Sequence, residues 1–201
     1  MSSRPHRPAS NPFATRHTQP GCVPPLDAAG RPVDLASLLS RLRELGGCGT
    51  IVGPHGSGKT NLLTHLAAAL ADHAGSLGPL RARSARDTVG ILKAILAAAP
   101  GTVVCIDSWE QLGPVGRLAV RVIATRRRCG LLVTSHVPTA LPTLVECRTS
   151  PEILAAIVAT LPGAGGSIAK ADLEDACTRH DGNLRDALAD LYDRFESRRS
   201  P

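Results

Sequence analysis

Three observations predict an α/β fold with a doubly wound parallel sheet. Apolar runs that read as strands alternate along the chain with amphipathic helical patterns. The best of these runs, Thr102-Val-Val-Cys-Ile-Asp107 and Gly130-Leu-Leu-Val-Thr-Ser135, are continuously apolar, as strands covered on both faces are. The first run, Thr50-Ile-Val52, passes straight into Gly53-Pro-His-Gly-Ser-Gly-Lys-Thr60, a G-x-x-x-x-G-K-T spacing that reads as a phosphate-binding loop.

In chain order, residues 1–25 are rich in Pro, Ser, Arg and His and are expected to form a flexible tail, within which Asn11-Pro-Phe-Ala14 and Pro20-Gly-Cys-Val-Pro-Pro25 could lie against the domain, Phe13 being one of two phenylalanines. Asp34 can cap a helix running to Leu45 with Leu35, Leu38, Leu39 and Leu42 on one face, and Gly46-Gly47 stops it. After the loop, Leu62, Leu66 and Leu70 at i, i+4, i+8 place a helix whose N-terminal amides and dipole face the same phosphate. A weak strand is expected near Leu80-Arg-Ala82. Ser84 and Asp87 then offer a cap for a helix with Val89, Leu92, Ile95 and Leu96 inward, ended by Pro100-Gly101. Pro114 opens a further helix, expected to turn Val115, Leu118, Val122 and Ile123 inward. Leu144-Val-Glu-Cys147 is a weaker last strand. Beyond Ser150 only helical patterns remain, at 151–161, 169–179 and 183–197. The organisation expected is therefore a tail over 1–25, a nucleotide-binding α/β core over 26–150 and a small helical, lid-like subdomain over 151–201.

The loop's chemistry follows from its residue types. Gly53, Gly56 and Gly58 permit backbone dihedrals that let successive amides turn inward around a phosphate. Pro54, His55, Ser57 and Asn61 complete the binding segment. Lys59 supplies a mobile cation for the β- and γ-phosphates, and the Thr60 hydroxyl can ligate Mg²⁺. Asp107, at the carboxyl end of an apolar strand, is the expected second metal-linked group. Glu110, three residues on, could orient or deprotonate an attacking water. Thr134, Ser135 and His136 leave the next strand end, where a polar side chain could contact the γ-phosphate. Arg185 stands in the first turn of the last helix, where a cation is electrostatically misplaced. It therefore wants an anion: Asp181, Asp186 or a nucleotide phosphate.

Composition narrows the function classes. The net charge of +6 admits an acidic partner such as nucleic acid, but the cations are spread along the chain. Only Arg126, Arg127 and Arg128 cluster outside the tails, at a predicted helix end that suits them structurally. The six cysteines show no C-x-x-C pairing or zinc spacing, so free thiols in a reducing cytoplasm are expected. No run of about eighteen apolar residues occurs, so no transmembrane helix is expected.

Taken together, the strand–loop–helix unit, the apolar strand ending in Asp107, the strand ending in Thr134-Ser135 and a helical tail with Gly182-Asn-Leu-Arg185 resemble the P-loop ATPases with an additional strand, in particular the AAA+ class and its STAND relatives. The resemblance covers about residues 34–197. It implies strand order 5-1-4-3-2, ATP and Mg²⁺ as cofactors, Asp107 as the Walker B residue, Ser135 or Thr134 as a sensor, and Arg185 as a second sensor in a helical lid. The chain departs from that pattern where Ser108, not Glu, follows Asp107, and where 137–143 is too short and Pro-rich for the helix that carries an arginine finger. The function expected is an ATP-binding, Mg²⁺-dependent, ATP-hydrolysing switch or accessory ATPase with an unidentified protein partner. A small-molecule kinase and a non-hydrolysing, nucleotide-gated binding module are the alternatives.

Overall fold

The computed structural model describes residues 11–72, 75–163 and 168–198. Five strands form one parallel sheet: β1 (Cys48–Val52), β2 (Ser76–Arg81), β3 (Val103–Asp107), β4 (Gly130–Ser135) and β5 (Thr143–Glu146). Their order is β2-β3-β4-β1-β5, which read from the other edge is the expected 5-1-4-3-2. The helices are α1 (Thr15–Thr18), α2 (Leu35–Glu44), α3 (Lys59–Ala71), α4 (Thr88–Ala97), α5 (Gly113–Arg126), α6 (Pro151–Thr160), α7 (Lys170–Arg179) and α8 (Leu184–Ser197).

Strand alternation divides the core into two layers. Ile51, Val103, Cys105 and Leu132 pack against α2 and α3. Val104, Ile106, Leu131 and Val133 pack against α4 and α5. Both layers are dry enough that Cys105, caught between strands, has its thiol pushed up to about 12 by burial. A third cluster joins α6, α7 and α8, with Leu154, Ala176, Ala187 and Leu191 fully enclosed.

Strand register carries the site. Val52 pairs with Ser135, and Arg81 with Asp107, so the carboxyl ends of β1, β2, β3 and β4 share one edge. β1 lies between β4 and β5, and the crevice at that reversal of strand order is where α/β sheets bind ligands.

Two expectations are corrected. On α4 the buried residues are Ile91 and Ile95, whereas Val89 and Leu96 point to solvent. On α5 the buried residues are Gly116, Val120 and Ala124, and Val115, Leu118 and Val122 are exposed. The small residues face inward because the helices lie close together: a Cβ on Gly116 would meet Thr88 Oγ1 at 2.5 Å. Within the segment expected as a tail, Asn11-Pro-Phe-Ala14 and the stretch around Val23 lie against the domain. Residues 1–10 lie outside the described residues, but Phe13 and Val23 are buried in the α6–α8 cluster. Asn11 Nδ2 donates to Tyr192 O and to Glu196 Oε1.

Candidate phosphate-binding site

The loop leaves β1 at Gly53, whose N–H donates to Ser135 O at 3.2 Å, anchoring it to β4. Gly56 and Gly58 adopt φ of 70° and 83°, a left-handed backbone that side chains resist. A side chain at Gly56 would also collide with Asn183, the N-cap of α8, so the helical subdomain rests directly on the loop. Gly58 opens α3, and Lys59 and Thr60 occupy its first turn.

Lys59 is buried and turned back on its own loop. Its Nζ donates to Gly53 O at 2.7 Å and to Pro54 O at 2.6 Å. Burial holds the ammonium below the ordinary lysine range, partly offset by Cys147, Glu110 and Asp107, while Arg185 lowers it further. The Arg185 guanidinium has no hydrogen bond or ion pair among the described residues: neither Asp181 nor Asp186 takes it, and Asp186 is bound by Asn183 Nδ2.

Asp107 is almost fully buried at the end of β3. Thr60 Oγ1 donates to its carboxylate at 3.0 Å, and Thr134 Oγ1 to the same Oδ1 at 2.7 Å. Arg81 Nε lies 4.0 Å from Oδ2. The backbone reverses here through Ser108, with φ 63°, whose N–H donates to Thr134 Oγ1. That turn brings Glu110 round to the loop.

Glu110, His136, Lys59 and His55 form a connected group. Lys59 Nζ donates to His136 Nδ1 at 3.3 Å, and His136 Nε2 lies 3.1 Å from Glu110 Oε1. This network assigns a neutral imidazole protonated at Nε2. Burial, then the Lys59 charge, depresses the pKa of His136, consistent with that form. The His55 ring stacks on His136 with centroids 3.7 Å apart. Glu110 Oε2 is buried with no hydrogen-bond partner among the described residues. Beside the loop, a cleft of roughly 530 Å³ runs between residues 26–38 and the end of β5, lined in part by Leu26, Val33, Leu62, Val145 and Cys147. Asp27, Arg31, Asp34, Glu146 and Arg148 supply the charged part of its lining.

No protein-family model matches the chain, and no curated protein matches it. Among solved structures it is similar to C. elegans PCH-2, at 12% identity and a TM-score of 0.46, over 83% of this chain and 68% of that one. The sheet order and the loop stand on the chain's own geometry.

Of the residues expected at the site, Gly53 to Thr60, Asp107 and Glu110 come together at one strand edge. Ser135 is buried there too, but its Oγ accepts from Val137 N–H, a strand-end cap. Its neighbour Thr134 makes the bond to Asp107. Asn61 is committed elsewhere: its Oδ1 accepts from Gly21 N–H and its Nδ2 donates to Val23 O. Sequence reasoning did not include Arg81 or Asn183 in the site. Arg81 ends a strand with almost no apolar signal, and the signal for Asn183, an Asn before a helix, reads equally well as a cap alone. Among the described residues there is no group of three or more metal-ligating side chains of the His/Cys/Asp/Glu type, and no helix is long and apolar enough to cross a membrane.

Proposed function

We propose that the chain binds ATP with Mg²⁺ at the 53–60 loop and hydrolyses it, acting as a nucleotide-dependent switch or accessory ATPase. The reading rests on the convergence of loop, Lys59, Thr60 and Asp107, with Thr60 Oγ1 3.0 Å from Asp107 Oδ1. A hydroxyl beside a carboxylate is the all-oxygen donor pair that suits Mg²⁺. A loop with φ of 70° and 83° at Gly56 and Gly58 suits a phosphate. When bound, Mg²⁺ would neutralise charge on the β- and γ-phosphates.

The chain's own residues divide the remaining work. Lys59, now satisfied by two carbonyls, is the cation for the phosphates. Thr60 and Asp107 hold the metal, and Thr134 fixes the carboxylate. Glu110 is the base: its partnerless Oε2 has the lone pairs that a water proton needs, and His136 orients the other oxygen. Arg185, unpaired near Lys59, is the cation of the helical subdomain that meets the terminal phosphate. The cleft beside the loop, whose walls are part apolar and part charged, receives the base. Six free thiols suit a reducing cytoplasm.

Binding without turnover is the second reading, favoured by Ser108 where an acid would follow Asp107 directly. Calorimetry with Mg²⁺-ATP tests the first claim: Lys59→Ala is expected to lose about 100-fold or more in affinity, a charge-assisted contact being worth about 3 kcal/mol. Unchanged affinity would sink the nucleotide reading. Phosphate release by the wild-type chain separates the two: ATP binding without release leaves the non-hydrolysing module.

A further inference from the structure

The outer surface of the α4/α5 layer carries most of the exposed large apolar side chains among the described residues. Val89 and Leu96 on α4 are 60% and 53% exposed, and Val115, Leu118 and Val122 on α5 are 81%, 61% and 39% exposed. The α5 residues stand at i, i+3 and i+7, one continuous stripe. Single exposed aliphatics need no explanation, whereas five on two adjacent helices form a patch that marks an interaction surface.

The charge of this layer is one-sided. The only ionisable residues of α4 and α5 are Lys93, Arg117, Arg121 and Arg126, with no Asp or Glu on either helix. Arg117 Nε is used on Gly113 O, but Lys93, Arg121 and Arg126 have no ion pair or hydrogen bond from their charged ends among the described residues. A groove of roughly 210 Å³ runs between α5 and Thr139–Leu141, with Trp109 and Leu118 supplying apolar wall and Arg121 a charged rim. An apolar stripe rimmed by free cations is complementary to an amphipathic segment whose polar face is acidic.

We propose that the outer face of α4 and α5 is a docking surface for an acidic amphipathic helix of a partner protein. A second copy related by two-fold symmetry would bring Arg121 and Arg126 against the same unpaired cations. An anionic bilayer surface is served by aromatic side chains at the interface, and neither α4 nor α5 contains one. The proposal stands on this layer alone and goes beyond the nucleotide reading. Failure of either leaves the other intact.

Fluorescence anisotropy of the full chain tests it, using a labelled helical peptide with leucines at i, i+3 and i+7 and glutamates at the other positions. The peptide is expected to bind the wild-type chain. Its affinity should fall about tenfold or more in the double variant Leu118→Ser/Val122→Ser and in Arg121→Glu. The same peptide with lysines for glutamates should not bind. All these positions are exposed, so circular dichroism and urea unfolding should match wild type. Absence of binding, or binding indifferent to the face variants, would overturn the proposal. So would sedimentation showing a dimer that the double variant dissolves, which assigns the face to a second copy. Co-sedimentation with phosphatidylserine vesicles that the same variants abolish, assigning it to a membrane, would overturn it as well.

Discussion

His136 holds two functional groups at once, Lys59 through Nδ1 and Glu110 through Nε2, and does so only as a neutral ring. Protonation would put a second donor against the Lys59 ammonium. Because burial and Lys59 lower its pKa from 6.5, the folded chain holds this proton less tightly than the unfolded chain. Stability from this residue is therefore complete above about pH 6.5 and is lost as pH falls through the window down to the depressed value. Urea unfolding at pH 7.5 and 5.5 should show a loss on acidification that shrinks in His136→Gln; an equal loss in both would remove His136 as its source. At this scale the sequence was most legible where backbone geometry demands glycine, as at Gly56 and Gly58 with their positive φ. It was least legible at Ser135 and Asn61, because a hydroxyl or amide beside the site serves a cap or a clamp as readily as a ligand.

Helix α5 shows why an amphipathic pattern can be read with the wrong face inward. Its sequence offers Val115, Leu118 and Val122 on one side and Gly116, Val120 and Ala124 on another, and size favours the first as core. Close packing against α4 selects the second, because Gly116 admits Thr88 where a larger residue would not. The expected consequence is an inverted mutational pattern. Val120→Ala should cost about 2 kcal/mol, for two buried methyl groups plus a partial cavity. Leu118→Ala, although it removes more atoms, should change stability by less than about 0.5 kcal/mol. Chemical denaturation of the two variants checks this, and a larger loss for Leu118→Ala would restore the opposite orientation. Strand order, by contrast, came from the resemblance to the additional-strand ATPases rather than from the apolar runs alone, and the sheet has that order.

Across the whole molecule, the first described residues bind the last helix. Phe13 is 3% exposed, meets Phe195 edge-on with centroids 6.2 Å apart, and joins the core of α6–α8. Composition alone could not place it, because a Pro- and Ser-rich segment gives no periodicity from which docking can be read. Phe13→Ala should therefore destabilise the protein by about 3 kcal/mol, as a core aromatic does, where loss of a tail residue would cost nothing measurable by thermal or urea unfolding. The helical subdomain has its own polar brace, in which Arg194 reaches Asp172, Asp175 and Asp190 across α7 and α8. It meets the 53–60 loop where Asn183 lies against Gly56, while Asn61, one residue past Thr60, grips Gly21 and Val23 of the N-terminal segment. The first described residues and the last helix are thus fastened together at Phe13 and Phe195, and each also touches residues 53–61. Segments from opposite ends of the sequence therefore meet at one loop, the first through Asn61 and the last through Asn183.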